Sequence, residues 1–337
     1  MNLRLLMYIR LIFKLILRPK NIPALINYIH FKIACIRKSD TVPSSPVSLV
    51  IYANKRCNFS CEYCFELDYL NDPSYFEGND LTLEQLEYIL ERPLSKKVLR
   101  LGILGGEPFI NKNIFELIER VNQTSKITTL VTNCSLIKGK VLEKLEKTHP
   151  DVLGLSLYSN NYDDVERVHN IMKKKVISWI QYMIGVKEIK EIEGVILFCI
   201  KIGCKSLMLI NPLPKDYQDT TNVIFDDNID FLQLKDRLHK KYGKKIEIDW
   251  PSVVQRKIKS KSCKIPFYSI HADAQGEFTP CLMMVPGVNK FGHLKDTKSW
   301  NSTEIREVRK GLLSGNDKDI SDICRYCENL NDDLYKV

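Results

Sequence analysis

Cys57-Asn-Phe-Ser-Cys61-Glu-Tyr-Cys64-Phe65 places three thiols within eight residues, four and three apart. They follow an apolar run, Val47 to Ala53, that reads as a buried strand, so the thiols sit on the loop leaving its end. The loop end of a parallel α/β strand is where such folds place their chemistry. Three close thiolates can hold three irons of a 4Fe–4S cubane and leave the fourth open to a ligand or substrate. The bland alternative is a zinc knuckle. Zinc takes four ligands, commonly as two Cys-x2-Cys pairs, and no nearby fourth Cys or His completes this set.

A second stretch bears on the first. The apolar run Val98 to Leu104 reads as a strand and leads directly into Gly105-Gly106-Glu107-Pro108. Glycines let a backbone approach a ligand closely, and a carboxylate can accept from an ammonium group. A plain strand-to-helix turn is the competing explanation. Taken together, Cys-x3-Cys-x2-Cys with an aromatic at Tyr63, followed one strand later by Gly-Gly-Glu-Pro, resembles the signature of the radical S-adenosylmethionine (SAM) superfamily. The resemblance implies a SAM-binding cluster on Cys57, Cys61 and Cys64. It also implies that Gly105, Gly106, Glu107 and Pro108 hold the amino group of SAM's methionine end, with Tyr63 part of the same cofactor site.

Further positions match less closely. Thr132-Asn133-Cys134 stands where the family usually has Thr-Asn-Gly, so Asn133 fits and Cys134 departs. Cys134 reads as a small filler more readily than as a reactive thiol. Ser156, amid apolar neighbours at a strand's end, suggests a hydroxyl placed for a ligand; the resemblance implies the SAM ribose or carboxylate. Asn211 ends the sixth strand, where the family often contacts adenine, though a turn before Pro212 explains it equally well. His169-Asn170 occupies the place of a His-Asp followed by Arg-Gly in many relatives, so the fourth unit is matched weakly.

Four more thiols, Cys263, Cys281, Cys324 and Cys327, form a C-terminal set. Two short strands, Tyr268 to Ala272 and Glu277 to Thr279, flank the turn Asp273-Ala-Gln-Gly276 and bring Cys263 and Cys281 to one end. Four thiols can fully ligate a second 4Fe–4S cluster or a zinc ion, and chemistry alone does not separate these well. The layout resembles the twitch domain, the short relative of the SPASM domain, which implies one closed auxiliary iron–sulfur cluster. Cys35, Cys199 and Cys204 lie in apolar surroundings and read as packing residues. No histidine has metal-ligand spacing.

The elements that must position these groups alternate strand and helix from Val47 to Ile210. Thr82-x-x-Gln85 is a capping box opening a helix. Helices are expected at Asn113 to Asn122, Leu136 to Leu145, Tyr162 to Lys173 and Lys187 to Lys201. Strands are expected at Ile127 to Thr132, Val152 to Tyr158, Val176 to Ile184 and Ser206 to Ile210. Six strand–helix units are too few for a closed eight-fold barrel, and right-handed crossovers roll them into an open partial barrel. The fold class is therefore α/β, an open (β/α)6 barrel with a small cysteine-rich β-hairpin and helix module. Residues 1–45 would form a basic amphipathic helical segment and linker, 46–225 the core, and 226–337 a bridging helix and the auxiliary module.

The chain has 337 residues, 44% hydrophobic and 27% charged, with eleven cysteines and a net charge of +9. Cysteines clustered for metal ligation suit a reducing cytoplasm better than a secreted disulfide framework. The first 39 residues hold eight Lys or Arg and no Asp or Glu, leaving 42 basic against 41 acidic residues in the remainder. A broad nucleic-acid-binding face is not indicated. Arg4, Arg10, Lys14 and Arg18 form a basic stripe on an apolar helix, and no run is long enough to span a bilayer. Residues 1–20 either lie on an anionic membrane surface or pack on the core with their cations facing water.

The resemblance implies an enzyme that reductively cleaves SAM to a 5′-deoxyadenosyl radical and abstracts hydrogen from a peptide or small molecule. It would draw electrons from an external donor, a flavodoxin or ferredoxin. The alternative is a non-catalytic, zinc-binding, cysteine-rich protein docked at a membrane surface.

Overall fold

A computed structural model describes residues 13, 19–70, 80–213, 219–251, 253–256, 263–285, 289–314, 316–327 and 330. The expected helix over residues 1–17 lies almost wholly outside them. The chain enters through α1 (Ile22–Ile36), within the segment expected to be helical, and then alternates. In order come β1 (Ser48–Tyr52), α2 (Leu83–Glu91), β2 (Arg100–Leu104), α3 (Ile114–Asn122), β3 (Ile127–Thr132), α4 (Lys140–Lys147) and β4 (Val152–Leu157). Then follow α5 (Tyr162–Met172), β5 (Ile177–Met183), α6 (Ile192–Lys201), β6 (Ser206–Ile210), α7 (Ile229–Tyr242) and β7 (Glu247–Asp249). The remainder comprises α8 (Ile265–Tyr268), β8 (Ser269–Ala272), β9 (Glu277–Thr279), β10 (Gly292–His293), α9 (Thr303–Ser314) and α10 (Asp322–Arg325).

The helices form where the apolar residues recur at helical spacing. In α3 the buried set is Ile114, Leu117, Ile118 and Val121; in α6 it is Ile192, Val195, Ile196 and Cys199. The capping box is present: Thr82 Oγ1 accepts from Gln85 N at 3.1 Å, and Thr82 N donates to Gln85 Oε1 at 2.9 Å. Helix α4 starts at Lys140, four residues later than its apolar pattern suggests, because the preceding loop carries Gly139 at φ +46°.

Strands β1 to β7 pair in parallel in chain order, and the sheet stays open, with edges at β10 and β7. Strands β1 and β4 are buried at every position, as strands covered on both faces must be. The C-terminal hairpin continues this same sheet. Strand β8 pairs in parallel with β1, Ser48 opposite Ser269 and Ile51 opposite Ala272, and β9 and β10 follow antiparallel. The C-terminal thiols are thereby fixed to the strand that delivers the first cysteine loop.

Candidate active site

The loop after β1 is held against the end of β2. Ala53 N donates to Leu104 O at 2.7 Å, Gly106 N to Asn54 O at 3.2 Å, and Glu107 N to Arg56 O at 2.8 Å. The two glycines make this approach sterically feasible. A Cβ on Gly105 would lie 2.5 Å from Asn54 O, and one on Gly106 would lie 2.3 Å from Arg56 O. The neighbour that requires them is the backbone of the cysteine loop itself, where the sequence suggested only a ligand. Asn54 reinforces the contact, its amide donating to Glu107 O at 2.9 Å while its oxygen accepts from Arg56 N at 2.8 Å. Asn111 bridges to Ala53 O and Leu81 O.

The end of β3 grips the same loop from the other side. Asn133 Nδ2 donates to Asn58 Oδ1 at 3.1 Å, and Asn58 Nδ2 donates to Ser135 Oγ at 2.8 Å. Asn161 in turn donates to Asn133 O and Ser156 O, tying the ends of β3 and β4 together. The cysteine loop thus rests on amides that are themselves fixed, as a precise ligand site requires.

Glu107 is 1% exposed and accepts three hydrogen bonds, from Phe109 N, Thr132 Oγ1 and Asn133 N, at 2.8 to 3.1 Å. Burial raises its pKa to about 7, while these donors pull the other way. A carboxylate offers about four acceptor sites, so the group retains capacity for one further donor, such as an ammonium.

Cys57, Cys61 and Cys64 line one wall of a cavity of about 340 Å³ together with Tyr63, Gly105, Gly106, Glu107, Asn133, Ser156 and Asn211. Pro108, expected with them, is buried at the start of a short 3-10 turn behind the motif. Burial raises all three thiol pKa values, that of Cys64 to about 12 with Glu66, Cys61 and Cys57 adding to it. A cationic metal centre is the kind of partner that reverses this and holds them as thiolates.

The remaining expected residues are already engaged within the chain. Ser156 Oγ accepts from Gln181 Nε2 at 3.0 Å. Tyr63 donates its hydroxyl to Glu188, whose other oxygen accepts from Gly185 N. Asn211 makes a reciprocal pair with the Ile224 backbone, at 2.8 and 3.0 Å, which pins the segment after β6. Cys134 is fully buried, with φ +66°, the conformation that the family's usual glycine adopts freely.

The sequence missed Gln181, the polar residue of an otherwise apolar strand end, which faces the cavity beside Ser156. The rule that drew attention to Ser156 would have found it. It also missed Tyr52 and Glu66, which line the cavity on the C-terminal module's side. Both are buried, and the Tyr52 hydroxyl and the Glu66 carboxyl lie close enough to act on one another. Burial raises Glu66 to about 7, against the influence of Tyr52 and Lys55.

The C-terminal thiols converge. Cys263, Cys281, Cys324 and Cys327 share a small pocket whose other walls are Ile265, Pro266, Met283, Met284, Ile323 and Leu330. Burial raises the Cys263 thiol most, and Cys281, Cys327 and Cys324 all add to it. Among the described residues no three Cys, His, Asp or Glu side chains group closely enough to hold a single ion. Four thiols in this apolar shell could hold either a zinc ion or a closed iron–sulfur cluster. Cys327, with Leu282 and Met283, also lines the larger cavity, so one thiol of the C-terminal set faces the same space as Cys57, Cys61 and Cys64.

A family model for the radical SAM superfamily matches residues 51–203. GTP 3′,8-cyclase of Staphylococcus haemolyticus is 28% identical over 143 residues, which are 41% of this chain and 42% of that one. PqqA peptide cyclase of Granulibacter bethesdensis is 28% identical over 125 residues, 36% of this chain and 32% of that one. The chain thus matches well under half the length of these curated relatives. Among solved structures, SuiB of Streptococcus suis bound to S-adenosylmethionine superposes with a TM-score of 0.63 at 19% identity, covering 89% of this chain and 74% of SuiB. SuiB has also been solved with its precursor peptide SuiA.

Proposed function

The chain belongs to the radical SAM superfamily, and from that premise we propose an enzyme that oxidatively modifies or dehydrogenates a peptide or small molecule after abstracting hydrogen from it. The observation that carries this reading is the single cavity wall formed by Cys57, Cys61, Cys64 and the Gly105 to Glu107 turn. When bound, a three-cysteine 4Fe–4S cluster and SAM supply one-electron reductive cleavage of the sulfonium and hence a 5′-deoxyadenosyl radical.

The chain's own residues do the positioning. Cys57, Cys61 and Cys64 would hold the cluster. Glu107, set by its three donors, would accept the SAM ammonium beside the Gly105–Gly106 backbone. Ser156 with Gln181, Tyr63, Asn133 and Asn211 would bound the nucleoside end. Tyr52 and Glu66, neighbours of one another, would bound the side of the cavity nearest the C-terminal module.

We assign residues 46–225 to the SAM-binding core and 226–337 to the bridging helix and an auxiliary module. Cys263, Cys281, Cys324 and Cys327 would hold a second 4Fe–4S cluster, which would supply a one-electron acceptor beside the cavity. An external flavodoxin or ferredoxin would supply reducing electrons in the cytoplasm, and residues 1–20 would favour an anionic membrane surface. Relatives whose names specify GTP and a PqqA peptide, and SuiB with a precursor peptide, support both substrate classes.

The test is anaerobic reconstitution with iron and sulfide, reduction with SAM, and quantification of 5′-deoxyadenosine. The control has Cys57, Cys61 and Cys64 changed to Ala. About eight irons per chain are expected in the wild type, and about four in the control with no nucleoside formed. One zinc and no iron would end the proposal.

A further inference from the structure

Helix α1 carries two apolar faces. One is spent on the fold: Ala24, Asn27, Phe31, Ala34 and Cys35 are buried, and Phe31 packs on Tyr268 with ring centroids 5.7 Å apart. The opposite face presents Ile22, Ile26, Ile29, Ile33 and Ile36, exposed by 54, 48, 56, 39 and 70%. At about 100° per residue these five fall within a stripe roughly 80° wide, centred away from the buried face. An exposed leucine or isoleucine is ordinary; five in register along four turns are not.

The borders of the stripe are basic. Lys32 lies on one side, over the Tyr28 ring at 5.6 Å, and Arg37 lies on the other. None of the described residues covers the stripe. We propose that this face of α1 lies in an anionic lipid surface, with its isoleucines among the acyl chains and its cations at the headgroups.

Charge decides among the occupants. The first 39 residues carry eight Lys or Arg and no acidic residue. A second copy docked two-fold on this face would set the same cations against one another. The chain's own residues 1–18 bring Arg4, Arg10, Lys14 and Arg18 and would do likewise. An anionic headgroup layer matches both the apolar stripe and its borders. Spanning is not involved, since no helix among the described residues is long and apolar enough to cross a membrane.

The position of the helix fixes what such docking would do. Asn21 donates to Ser125 O, just before β3, and Asn27 donates to the carbonyls of Lys97, Ser45 and Pro46, just before β2 and β1. Helix α1 therefore lies across the N-terminal ends of the strands, opposite the cysteine loop. Docking would tether the protein with its cavity facing away from the bilayer, toward a substrate arriving from the aqueous side.

Full-length protein would be sedimented with vesicles of phosphatidylcholine, with and without half phosphatidylglycerol. Binding is expected only with the anionic lipid, weakening steeply between about 0.05 and 0.5 M NaCl. Combined Ile26→Ser, Ile29→Ser and Ile33→Ser should lower the partition coefficient by about a hundredfold or more. Lys32→Gln and Arg37→Gln should each lower it about fivefold, and these changes outside the buried face keep the test decisive if the isoleucine variant folds poorly. Several results would overturn the proposal: no pelleting, equal binding to phosphatidylcholine alone, or undiminished binding by the isoleucine and charge variants. So would a wild-type dimer in light scattering that the isoleucine changes convert to monomer. Binding lost only with Arg4, Arg10 and Lys14 would place the contact on the first segment and overturn it too. None of these readouts depends on catalysis.

Discussion

Gly106→Ala tests whether the glycine pair exists to seat the cysteine loop. The added methyl would meet Arg56 O at 2.3 Å, Arg56 C at 2.5 Å and Cys57 N at 2.9 Å, all backbone atoms, where ordinary contact begins near 3.4 Å. About 1 Å must be recovered by moving Cys57 or the Gly-Gly-Glu turn, since no flexible side chain can yield. Overpacking of this kind costs roughly 1–3 kcal/mol. Loss of the 2.8 Å bond from Glu107 N to Arg56 O adds about 1 kcal/mol. Near 3 kcal/mol in all should lower the melting temperature of the metal-free chain by roughly 5–10 °C. A ligand displaced by 1 Å should also cost the variant its first cluster, leaving about four irons per chain, with 5′-deoxyadenosine formation down on the order of a hundredfold. Gly194→Ala is the control, because its Cβ would meet nothing within 4 Å on helix α6, and it should be neutral or stabilising by up to about 1 kcal/mol. A Gly106→Ala protein with wild-type iron, nucleoside yield and melting temperature would refute the reasoning.

Two other perturbations follow from buried groups remote from the cavity. Arg309, fully buried, donates to Pro266 O, Asp40 O, Asn301 Oδ1 and Trp300 O at 2.7 to 3.1 Å, joining the linker before β1 to the C-terminal module. Arg309→Met strands four acceptors and should cost about 3–5 kcal/mol in urea unfolding, with Arg309→Lys recovering only part; a loss under about 1 kcal/mol would disprove the clamp. His271, buried on β8 with Nδ1 unpartnered, has its pKa lowered from 6.5 to about 3 by burial and then by Arg100. Between those values the unfolded chain holds a proton that the folded chain does not. Stability should therefore fall as pH drops from 6.5 toward 3, by up to about 1.4 kcal/mol per unit. His271→Gln should flatten that limb, and parallel curves for wild type and variant would remove His271 as the cause.

What could be read in advance follows from how locally each feature is encoded. Strands β1 and β4 were legible because strands buried on both faces are continuous apolar runs, β3 because its burial alternates, and the helices because burial repeats every three or four residues. Strand β8 was legible as half of a hairpin, but its parallel pairing with β1 was not. Nothing in Ser269 to Ala272 distinguishes an edge that ends from one that joins a strand some 220 residues earlier. The motif residues were legible as motifs, yet the residues that hold them in place were not. Asn54, Asn58, Asn111 and Asn161 are ordinary loop residues by type, and only the folded chain shows that each fixes a cysteine-bearing or motif-bearing backbone.

The same limit explains Glu107 and helix α1, and it ties the two sites together. The sequence assigns Glu107 a ligand; the structure adds three donors that order the ends of β2 and β3 first, so the residue organises the pocket as well as facing it. Hydropathy marks α1 as apolar, but an apolar residue on a helix is equally consistent with core or surface. Only the packing of Ala24, Phe31 and Cys35 inward leaves the isoleucine stripe outside. With that stripe at one end of the strands and Cys57, Cys61, Cys64 and Cys327 lining the cavity at the other, the proposed lipid-facing surface and the cavity are separated by the length of the strands. A substituent on α1 should accordingly alter where the protein resides and leave its iron content and SAM cleavage unchanged. Gly106→Ala should do the reverse.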